Sequence, residues 1–385
     1  MPASKAIRLL RRAAAGIQAA APRLGLGGRG AAPRLVPYRG FGTTERVCFV
    51  GRVGEDTGAR EPRHEEARSS GDHRRRMRQR LADAYRRLIS RPVPNARIEI
   101  ELGAQRWETV TDEDGLFLAC FDVTDVPPEP LWQPYRAQLL EPDDAGAGPA
   151  GEKVLICPPQ AQRLVISDLD DTVIHTGVAN KLAMLWRLFA STAQEREPFP
   201  GAAALYRGLH TGVDGQEANP ILYVSRSPWT IYPALDEFFR LHDIPTGPVL
   251  LLRDWGITHH HPLPRRAPEH KETMIETIFE VYQQLPAVLV GDSGQRDPEI
   301  YAAIAERYPG RVSAIFIRDL QGSRERSQEL ETIGARMREQ GVELKTGTDS
   351  MSLAEAAAER GWISKTALEE VRAAAESRGA IDVAD

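Results

Sequence analysis

The stretch LVISDLDDT, residues 164–172, indicates the fold of the larger part of the chain. Four apolar or small residues run directly into a segment with three carboxylates, a pattern typical of a buried parallel strand that ends in polar groups. In open α/β sheets, ligands bind outside the carboxyl ends of such strands. The sequence therefore predicts a functional site at the end of this strand.

The spacing of the acids in this stretch suits phosphoryl transfer. Asp168, the first polar side chain after the strand, can attack a phosphorus atom as a nucleophile. Asp170 can protonate the leaving oxygen and later deprotonate a water molecule. Crowded carboxylates repel one another unless a cation lies between them, so the spacing also predicts a hard metal ion, magnesium before others. The structural alternative is an acidic turn after a core strand.

Two later segments add groups suited to the same chemistry. The apolar run ILYVS ends in Ser225, whose hydroxyl and following backbone amides can hold a phosphate oxygen. Lys271 lies at the start of a helical pattern, where its charge can neutralise phosphate. A lone lysine is more often solvated surface, so this residue depends on the others for its interpretation.

A third segment supplies further acids. The run AVLVGDSGQRD, residues 287–297, is a predicted strand that enters a glycine-containing acidic turn. Asp292 and Asp297 are expected to complete an oxygen-ligand magnesium site. The other ligands would be Asp168 and the backbone carbonyl of Asp170.

The ordered motifs resemble those of the haloacid dehalogenase superfamily of phosphatases. More narrowly, they resemble the catalytic domain of the actin-patch phosphatidate phosphatase family. The matching segments are YVSRSPW at 223–229, HK at 270–271, GDSG with DPEIY within 291–301, and IRD at 317–319. The resemblance covers roughly residues 163–319. Arg226 stands where fungal members of the family have asparagine.

The resemblance implies a magnesium-dependent phosphatase that hydrolyses phosphatidate or a related lipid phosphomonoester. The products would be diacylglycerol and phosphate, released through an aspartyl-phosphate on Asp168. It also implies substrate-phosphate contacts, which we assign to Thr172, Ser225, Arg226 and Lys271.

Two other functions stay open at this point. One is a soluble phosphomonoesterase that acts on a small metabolite or a phosphoprotein, and the other is a catalytically silent membrane adaptor that keeps the fold. The fold does not require any of the charged residues of the site, so their joint presence argues against a catalytically silent adaptor. These charges belong to Asp168, Asp170, Lys271, Asp292 and Asp297.

Strand and helix patterns divide the chain into three parts. They alternate over residues 159–378, which predicts an α/β haloacid-dehalogenase-like domain with a doubly wound parallel sheet. Short apolar runs between turn signals predict a small β-sandwich ahead of it, at 45–158. An Arg-rich helix at 73–89 is inserted there, and its basic face is expected to be solvated, with lipid attraction as the alternative.

Residues 1–44 form a basic tail with eight basic residues and no acidic one. The tail is expected to be disordered or to lie on an anionic membrane surface as a weak amphipathic helix, and an organellar transit peptide has the same composition. Nucleic acid is not an expected partner, because the net charge is −5 and the basic face of the Arg-rich helix offers no aromatic residues for stacking.

Composition sets further bounds on the chain. Its 385 residues, 42% of them hydrophobic, suffice for two domains and a sizeable core. Eighteen consecutive apolar residues occur nowhere, so a cytoplasmic protein with peripheral membrane contact is expected, with organelle import as the alternative. Cys48, Cys120 and Cys157 are odd in number and lack metal-ligand spacing, so a reducing compartment is expected rather than a disulfide framework.

Two remaining segments have open interpretations. The histidines at 259–261 precede a proline and point in different directions, so a surface loop is expected rather than a metal site. The apolar segment 180–189 follows the nucleophile loop and is either a core helix or a contact for acyl chains.

Overall fold

The computed structural model of the protein describes most of the chain. The described residues are 31–58, 90–143, 146, 148–169, 172–173, 199–252, 268–320 and 322–379. The predictions for the first 30 residues, the Arg-rich helix, Asp170, the segment 180–189 and the histidines at 259–261 lie outside them.

Seven strands in the first half form one continuous hydrogen-bonded sheet in the order β4-β3-β6-β7-β1-β2-β5. Neighbouring strands are antiparallel, except that β1 and β7 are parallel. The strands are β1 (Pro33–Gly42), β2 (Arg46–Glu55), β3 (Arg97–Leu102), β4 (Gln105–Val110), β5 (Leu116–Asp122), β6 (Trp132–Glu141) and β7 (Ala150–Ile156).

This N-terminal sheet curls until its two edge strands approach each other. Trp107 of β4 stacks on Phe121 of β5, with ring centroids 5.3 Å apart. Phe49 and Tyr135 fill the space inside, 4.8 Å from centroid to centroid. One curled sheet therefore occupies the region for which a small β-sandwich is predicted. The twist of its strands lets this single sheet enclose apolar side chains on its concave face.

The N-terminal boundary of this sheet differs from the expected one. β1 begins at Pro33, inside the segment 1–44 that composition marks as a tail. Its residues Val36, Tyr38 and Phe41 pack into the core, so the basic residues Arg34 and Arg39 are strand residues. The expected tail boundary at residue 44 is corrected accordingly, because strand alternation in a short basic segment gives a weak signal.

The sequence favours reduced cysteines over a disulfide framework, and the structure contradicts this for one pair of cysteines. Cys48 of β2 lies directly opposite Cys120 of β5, and the two form a disulfide. Cys157 is a free thiol. The two cysteines are 72 residues apart in the sequence. Their pairing depends on the register of β2 and β5, which the spacing of the cysteines does not reveal.

The second half of the chain contains a six-stranded sheet in which every neighbouring pair is parallel. The strand order is β10-β9-β8-β11-β12-β13, so the direction of winding reverses at β8. The strands are β8 (Leu164–Ser167), β9 (Ile221–Pro228), β10 (Val249–Leu252), β11 (Ala287–Asp292), β12 (Val312–Arg318) and β13 (Glu343–Gly347). Ligands of open α/β sheets bind at such a reversal.

Seven helices are described with this sheet, and a 3-10 turn at Trp229–Ile231 precedes the second of them. They are α1 (Ala202–Thr211), α2 (Tyr232–Leu241), α3 (Pro268–Val281), α4 (Asp297–Arg307), α5 (Arg324–Glu339), α6 (Ser350–Glu359) and α7 (Lys365–Gly379). None of the described helices is both long and apolar enough to cross a membrane.

The two sheets share one hydrophobic core. Tyr38, Phe41, Cys48 and Val50 of the N-terminal sheet belong to the same buried cluster as β8 and β11. The ring of Phe41 lies 6.2 Å from that of Tyr282, which follows α3. A second, smaller cluster fills the inside of the curled sheet. The N-terminal sheet is therefore packed against the parallel sheet through continuous apolar contact.

Candidate active site

Asp168 lies at the carboxyl end of β8, at the point where the strand order reverses. Its backbone amide donates to the carbonyl of Val290 at 2.8 Å, which extends the pairing of β8 with β11. The residue is only 1% exposed. The strand pairing therefore fixes the backbone of the predicted nucleophile at the edge where the neighbouring strands also end.

Lys271 of α3 reaches into this position from the side. Its Nζ donates to Oδ1 of Asp168 at 2.8 Å and to Oδ1 of Asp297 at 2.5 Å, and all three side chains are buried. Burial by itself lowers the pKa of Lys271, but the negative charges of Asp168 and Asp297 outweigh it and raise that pKa above its ordinary value. The side chain is therefore an ammonium that connects the two acids.

Asp292 ends β11, and the turn after it holds its carboxylate. Oδ1 accepts hydrogen bonds from the amides of Gly294 at 2.7 Å and Gln295 at 2.9 Å. The Gln295 side chain donates to Oδ2 at 3.2 Å. Both oxygens are thus oriented by the turn, which agrees with a carboxylate kept in one position for a ligand.

The site fits a hard divalent cation. Asp168, Asp292 and Asp297 each offer a carboxylate oxygen, and these oxygens lie within 4.8 Å of one another. With the carboxylates ionised, these three acids and Lys271 together carry two more negative than positive charges in a buried position. Oxygen ligands and an excess of negative charge are the properties that magnesium and calcium sites share.

Ser225 and Arg226 lie in the second half of β9, toward the same edge of the sheet. Ser167 of β8 pairs with Tyr223 of β9, so Ser225 extends just beyond the level of Asp168. The Ser225 hydroxyl accepts from the amide of Ser227 at 3.0 Å. The guanidinium of Arg226 contacts the side-chain oxygen of Gln295. The structure therefore connects Arg226 to the turn that holds Asp292.

Thr172 lies in the nucleophile loop and is buried. Its Oγ1 has no hydrogen-bond partner in the described part of the chain, and its carbonyl accepts from Nε of Arg318 at 3.3 Å. Of the eight predicted site residues, four are in contact or close proximity, namely Asp168, Lys271, Asp292 and Asp297. Ser225 and Arg226 lie toward the same edge of the sheet, and Thr172 contacts Arg318, which pairs with Asp292. Asp170 lies outside the described residues.

The structure adds two residues that the motifs did not identify as functional. Gln295 holds Asp292, as described above. Arg318 is buried at the end of β12, donates to Ser350 at 2.9 Å and lies 4.0 Å above the ring of Phe199. Burial lowers the pKa of Arg318 to about 10. Both residues lie inside recognised motifs, but only their side-chain directions reveal what they contact.

Sequence comparison agrees with this geometry. Residues 163–319 match the model of a family described as the catalytic domain of phosphatidate phosphatase APP1. The chain carries a phosphatidate phosphatase-like domain. The resemblance inferred from the motifs is confirmed over this segment. Inclusion in the haloacid dehalogenase superfamily stays a prediction.

Two fungal proteins resemble the phosphatidate phosphatase-like domain at similar distance. Phosphatidate phosphatase APP1 of Saccharomyces cerevisiae is 29% identical over 154 residues, which are 40% of this chain and 25% of that protein. An uncharacterised protein of Schizosaccharomyces pombe is 29% identical over 157 residues, with the same coverage of 40% and 25%. The chain thus matches about a quarter of the length of these relatives.

Solved structures add little to this comparison. A carbohydrate acetylesterase from Xanthomonas citri aligns over 67% of this chain and 63% of its own, with 12% identity and a TM-score of 0.26. A likeness at that level carries no argument about fold or function. The assignment of the phosphatidate phosphatase-like domain therefore depends on the sequence matches.

Proposed function

We propose that the protein is a magnesium-dependent phosphatase that hydrolyses phosphatidate or a related lipid phosphomonoester to diacylglycerol and phosphate. The observation that carries the proposal is the buried contact of Asp168 with Lys271, close to Asp292 and Asp297, at the reversal point of the parallel sheet. The similarity of this domain to a phosphatidate phosphatase supplies the class of substrate.

The first step forms a covalent intermediate on Asp168. Lys271 holds Oδ1, so we assign the attack to Oδ2. The Oδ2–phosphorus bond forms while the bond from phosphorus to the ester oxygen of the lipid breaks. We assign the proton that the leaving oxygen needs to Asp170, the second acid of the motif, and the alcohol that leaves is diacylglycerol.

The second step releases phosphate. A water molecule attacks the phosphorus of the aspartyl-phosphate, and Asp170, now ionised, takes a proton from that water. The bond from phosphorus to Oδ2 breaks, inorganic phosphate leaves, and Asp168 returns as a carboxylate. One acid thus acts as nucleophile, and the other alternates between acid and base.

Several groups would stabilise the negative charge on the phosphoryl oxygens. Asp168, Asp292 and Asp297 would hold magnesium, which supplies charge neutralisation to the phosphoryl group when it is bound. Lys271 contributes its ammonium from α3. Ser225 and the amides after it lie at the same edge, and the buried hydroxyl of Thr172 is available for a further contact.

The decisive experiment is an assay of the purified full-length chain against lipid and soluble phosphomonoesters, with and without magnesium. We expect phosphate release from phosphatidate that disappears on chelation. Asp168→Asn should remove it, because an amide keeps the shape but cannot form the acyl-phosphate. Activity only on soluble phosphomonoesters would point to the soluble-enzyme alternative. No activity in any arm would contradict the proposed function.

We further propose that the enzyme reaches its substrate by peripheral attachment to an anionic membrane surface. Lys5, Arg8, Arg11 and Arg12 lie in the segment before the described residues, and basic residues near such a surface contribute about 1 kcal/mol each. Deletion of residues 2–30, which leaves β1 complete, should weaken binding to phosphatidate-containing liposomes at low salt. Hydrolysis of a soluble phosphomonoester should not change. Unaltered liposome binding would contradict this role.

A further inference from the structure

The N-terminal sheet contacts the segment that carries Ser225. We propose that Tyr38 and Arg39 of β1 are positioning residues that set the geometry of residues 225–229 for catalysis. The inference rests on the function proposed above, since it assigns a task to the sheet in the same reaction. Their contacts with the second domain are made to Trp229, Tyr232 and Asp236, so we expect their effect on the reaction to pass through the segment that they contact.

An irregularity in β1 directs these side chains toward the second domain. β1 pairs regularly with β2 as far as Tyr38 opposite Val50, and pairing resumes at Phe41 opposite Cys48. A bulge of this kind bends the strand and re-aims side chains. Gly40 lies within it, and a Cβ atom at that position would lie 2.5 Å from the carbonyl oxygen of Cys48. The bulge therefore requires glycine at this point.

Tyr38 contacts Trp229, the last residue of the segment 225–229. Its ring stacks on that of Trp229, with centroids 4.4 Å apart and planes 19° from parallel, and lies 4.5 Å from the ring of Tyr232. All three rings are buried. Trp229 directly follows β9, in which the amide of Ser227 donates to the Ser225 hydroxyl. Tyr38 thus fixes one end of a five-residue segment whose other end lies at the active site.

Arg39 anchors the helix that follows this segment. Its backbone amide donates to the hydroxyl of Tyr232 at 3.2 Å, and its Nη2 donates to Oδ1 of Asp236 at 2.5 Å. These partners lie one turn apart on α2, so the contact defines both the position and the rotation of the helix start. The Arg39 side chain is 17% exposed, so solvent screens this ion pair less than a surface pair.

These contacts bear on rate because phosphoryl transfer depends on positioning. A displacement of about 1 Å in a group that orients the substrate can cost about 100-fold in rate. Truncating Tyr38 removes the aromatic surface against which Trp229 is held, and Ser225 is only four residues away in the chain. The N-terminal sheet would then act in catalysis only through its contacts with this segment and with α2.

The test uses the full-length chain with four variants. Tyr38→Ala removes the stacking ring, and Tyr38→Phe keeps it. Arg39→Met keeps an aliphatic side chain but removes the guanidinium. Trp107→Ala is the matched control, because Trp107 stacks on Phe121 within the N-terminal sheet. For each we would measure kcat and KM on a soluble phosphomonoester with magnesium, the affinity for inorganic phosphate by calorimetry, and the melting temperature.

We expect Tyr38→Ala to lower kcat/KM at least 10-fold and to weaken phosphate binding, with Arg39→Met in the same direction. Tyr38→Phe should stay near the unmodified chain. Trp107→Ala should lower the melting temperature and leave kcat within twofold. If Tyr38→Ala does not fold, the inference is tested by Arg39→Met, which should lose more kcat/KM and phosphate affinity than Trp107→Ala. The inference is overturned if the Tyr38 and Arg39 variants change melting temperature only.

The two proposals fail in different ways. If the unmodified chain hydrolyses nothing in the panel, the proposed function fails, and the comparison of phosphate affinities still decides whether Tyr38 and Arg39 position the segment. If the unmodified chain is active and Tyr38→Ala keeps both its kcat/KM and its phosphate affinity, the positioning role alone is wrong.

Discussion

At the scale of single residues, Lys271 has the largest effect on the charge balance of the site. Removing its ammonium leaves Asp168 and Asp297 buried without the cation that both contact. Breaking a buried ion pair by removing one partner typically costs about 3–5 kcal/mol. We therefore expect Lys271→Met to lose activity and to lower the free energy of unfolding by about that amount, measured by urea denaturation.

Two comparisons complete this prediction. Added magnesium should recover part of the lost stability, because the cation replaces some of the missing positive charge. Lys365→Met is the control, since Lys365 is exposed at the start of α7. Equal stability of the two variants would show that Asp168 and Asp297 do not depend on the ammonium.

Gly291 is a second residue on which the site depends. A Cβ atom there would lie 2.5 Å from Oδ2 of Asp297 and 2.8 Å from the ring of Tyr301. Gly291→Ala should therefore displace Asp297, reduce phosphate release more than 10-fold and cost about 1–3 kcal/mol of stability. An alanine variant with unchanged activity would show that Asp297 has room to move.

Gly334 offers a matched substitution for that experiment. It lies within α5, where an added Cβ would lie 3.9 Å from the Cβ of Leu344, an ordinary contact distance. Gly334→Ala should therefore raise the free energy of unfolding by about 0.5–1 kcal/mol and leave activity unchanged. Chemical denaturation of both alanine variants under one condition checks the opposite signs.

Cys157 gives a prediction about pH. Burial raises the pKa of its thiol from 9.0 to about 11. Only the thiolate reacts with alkylating agents, so at pH 8 the reactive fraction is about 100-fold smaller than for an unburied thiol. Iodoacetamide labelling of the native chain should be slower by that factor than labelling of the urea-unfolded chain, and the difference should shrink as the pH approaches 11. Equal rates at pH 8 would contradict it.

At the scale of elements, the disulfide between β2 and β5 joins an edge strand to the body of the N-terminal sheet. The chain contains three cysteines, so thiol titration under denaturing conditions should find one thiol without reductant and three after reduction. Three thiols before reduction would contradict the pairing. A Cys157→Ser variant gives the baseline of zero thiols before reduction.

The disulfide also marks the limit of prediction from sequence. Short strands in the first half were identified by their alternation, but their order in the sheet depends on long-range pairing that no local pattern encodes. Cys48 and Cys120 meet only because β2 lies beside β5. In the same way, β1 was assigned to a tail because its basic residues outweighed a weak alternation of Val36, Tyr38 and Phe41.

More of the candidate active site than of the N-terminal sheet could be predicted from the sequence, because several of its residues lie at the carboxyl ends of strands. Parallel strands end at a common edge, so the acids two residues after Ile166 and Val290 must come close together if both strands lie in one sheet. Arg226 shows where this reasoning stops. It lies within β9, toward the edge where the site acids are, but its long side chain contacts Gln295, and backbone position does not determine that direction.

At the scale of the whole molecule, the two sheets are packed through a shared core. Tyr38, Phe41, Cys48, Val50 and Leu116 cover part of the parallel-sheet domain. The full chain should therefore unfold in one calorimetric transition. A fragment that starts at residue 159 exposes that apolar surface and should bind a hydrophobic dye and melt at lower temperature. Two separate transitions in the full chain would contradict the shared core.

The central position of β8 has a consequence for biosynthesis. Leu164 of β8 pairs with Ala287 of β11, so the strand that bears Asp168 waits for more than a hundred further residues before it acquires this neighbour. The N-terminal sheet, complete by Ile156, can form while the ribosome is still translating the rest. During that interval the apolar face that later packs against the parallel sheet is uncovered and open to chaperones, and a nascent chain arrested before residue 287 has no assembled nucleophile.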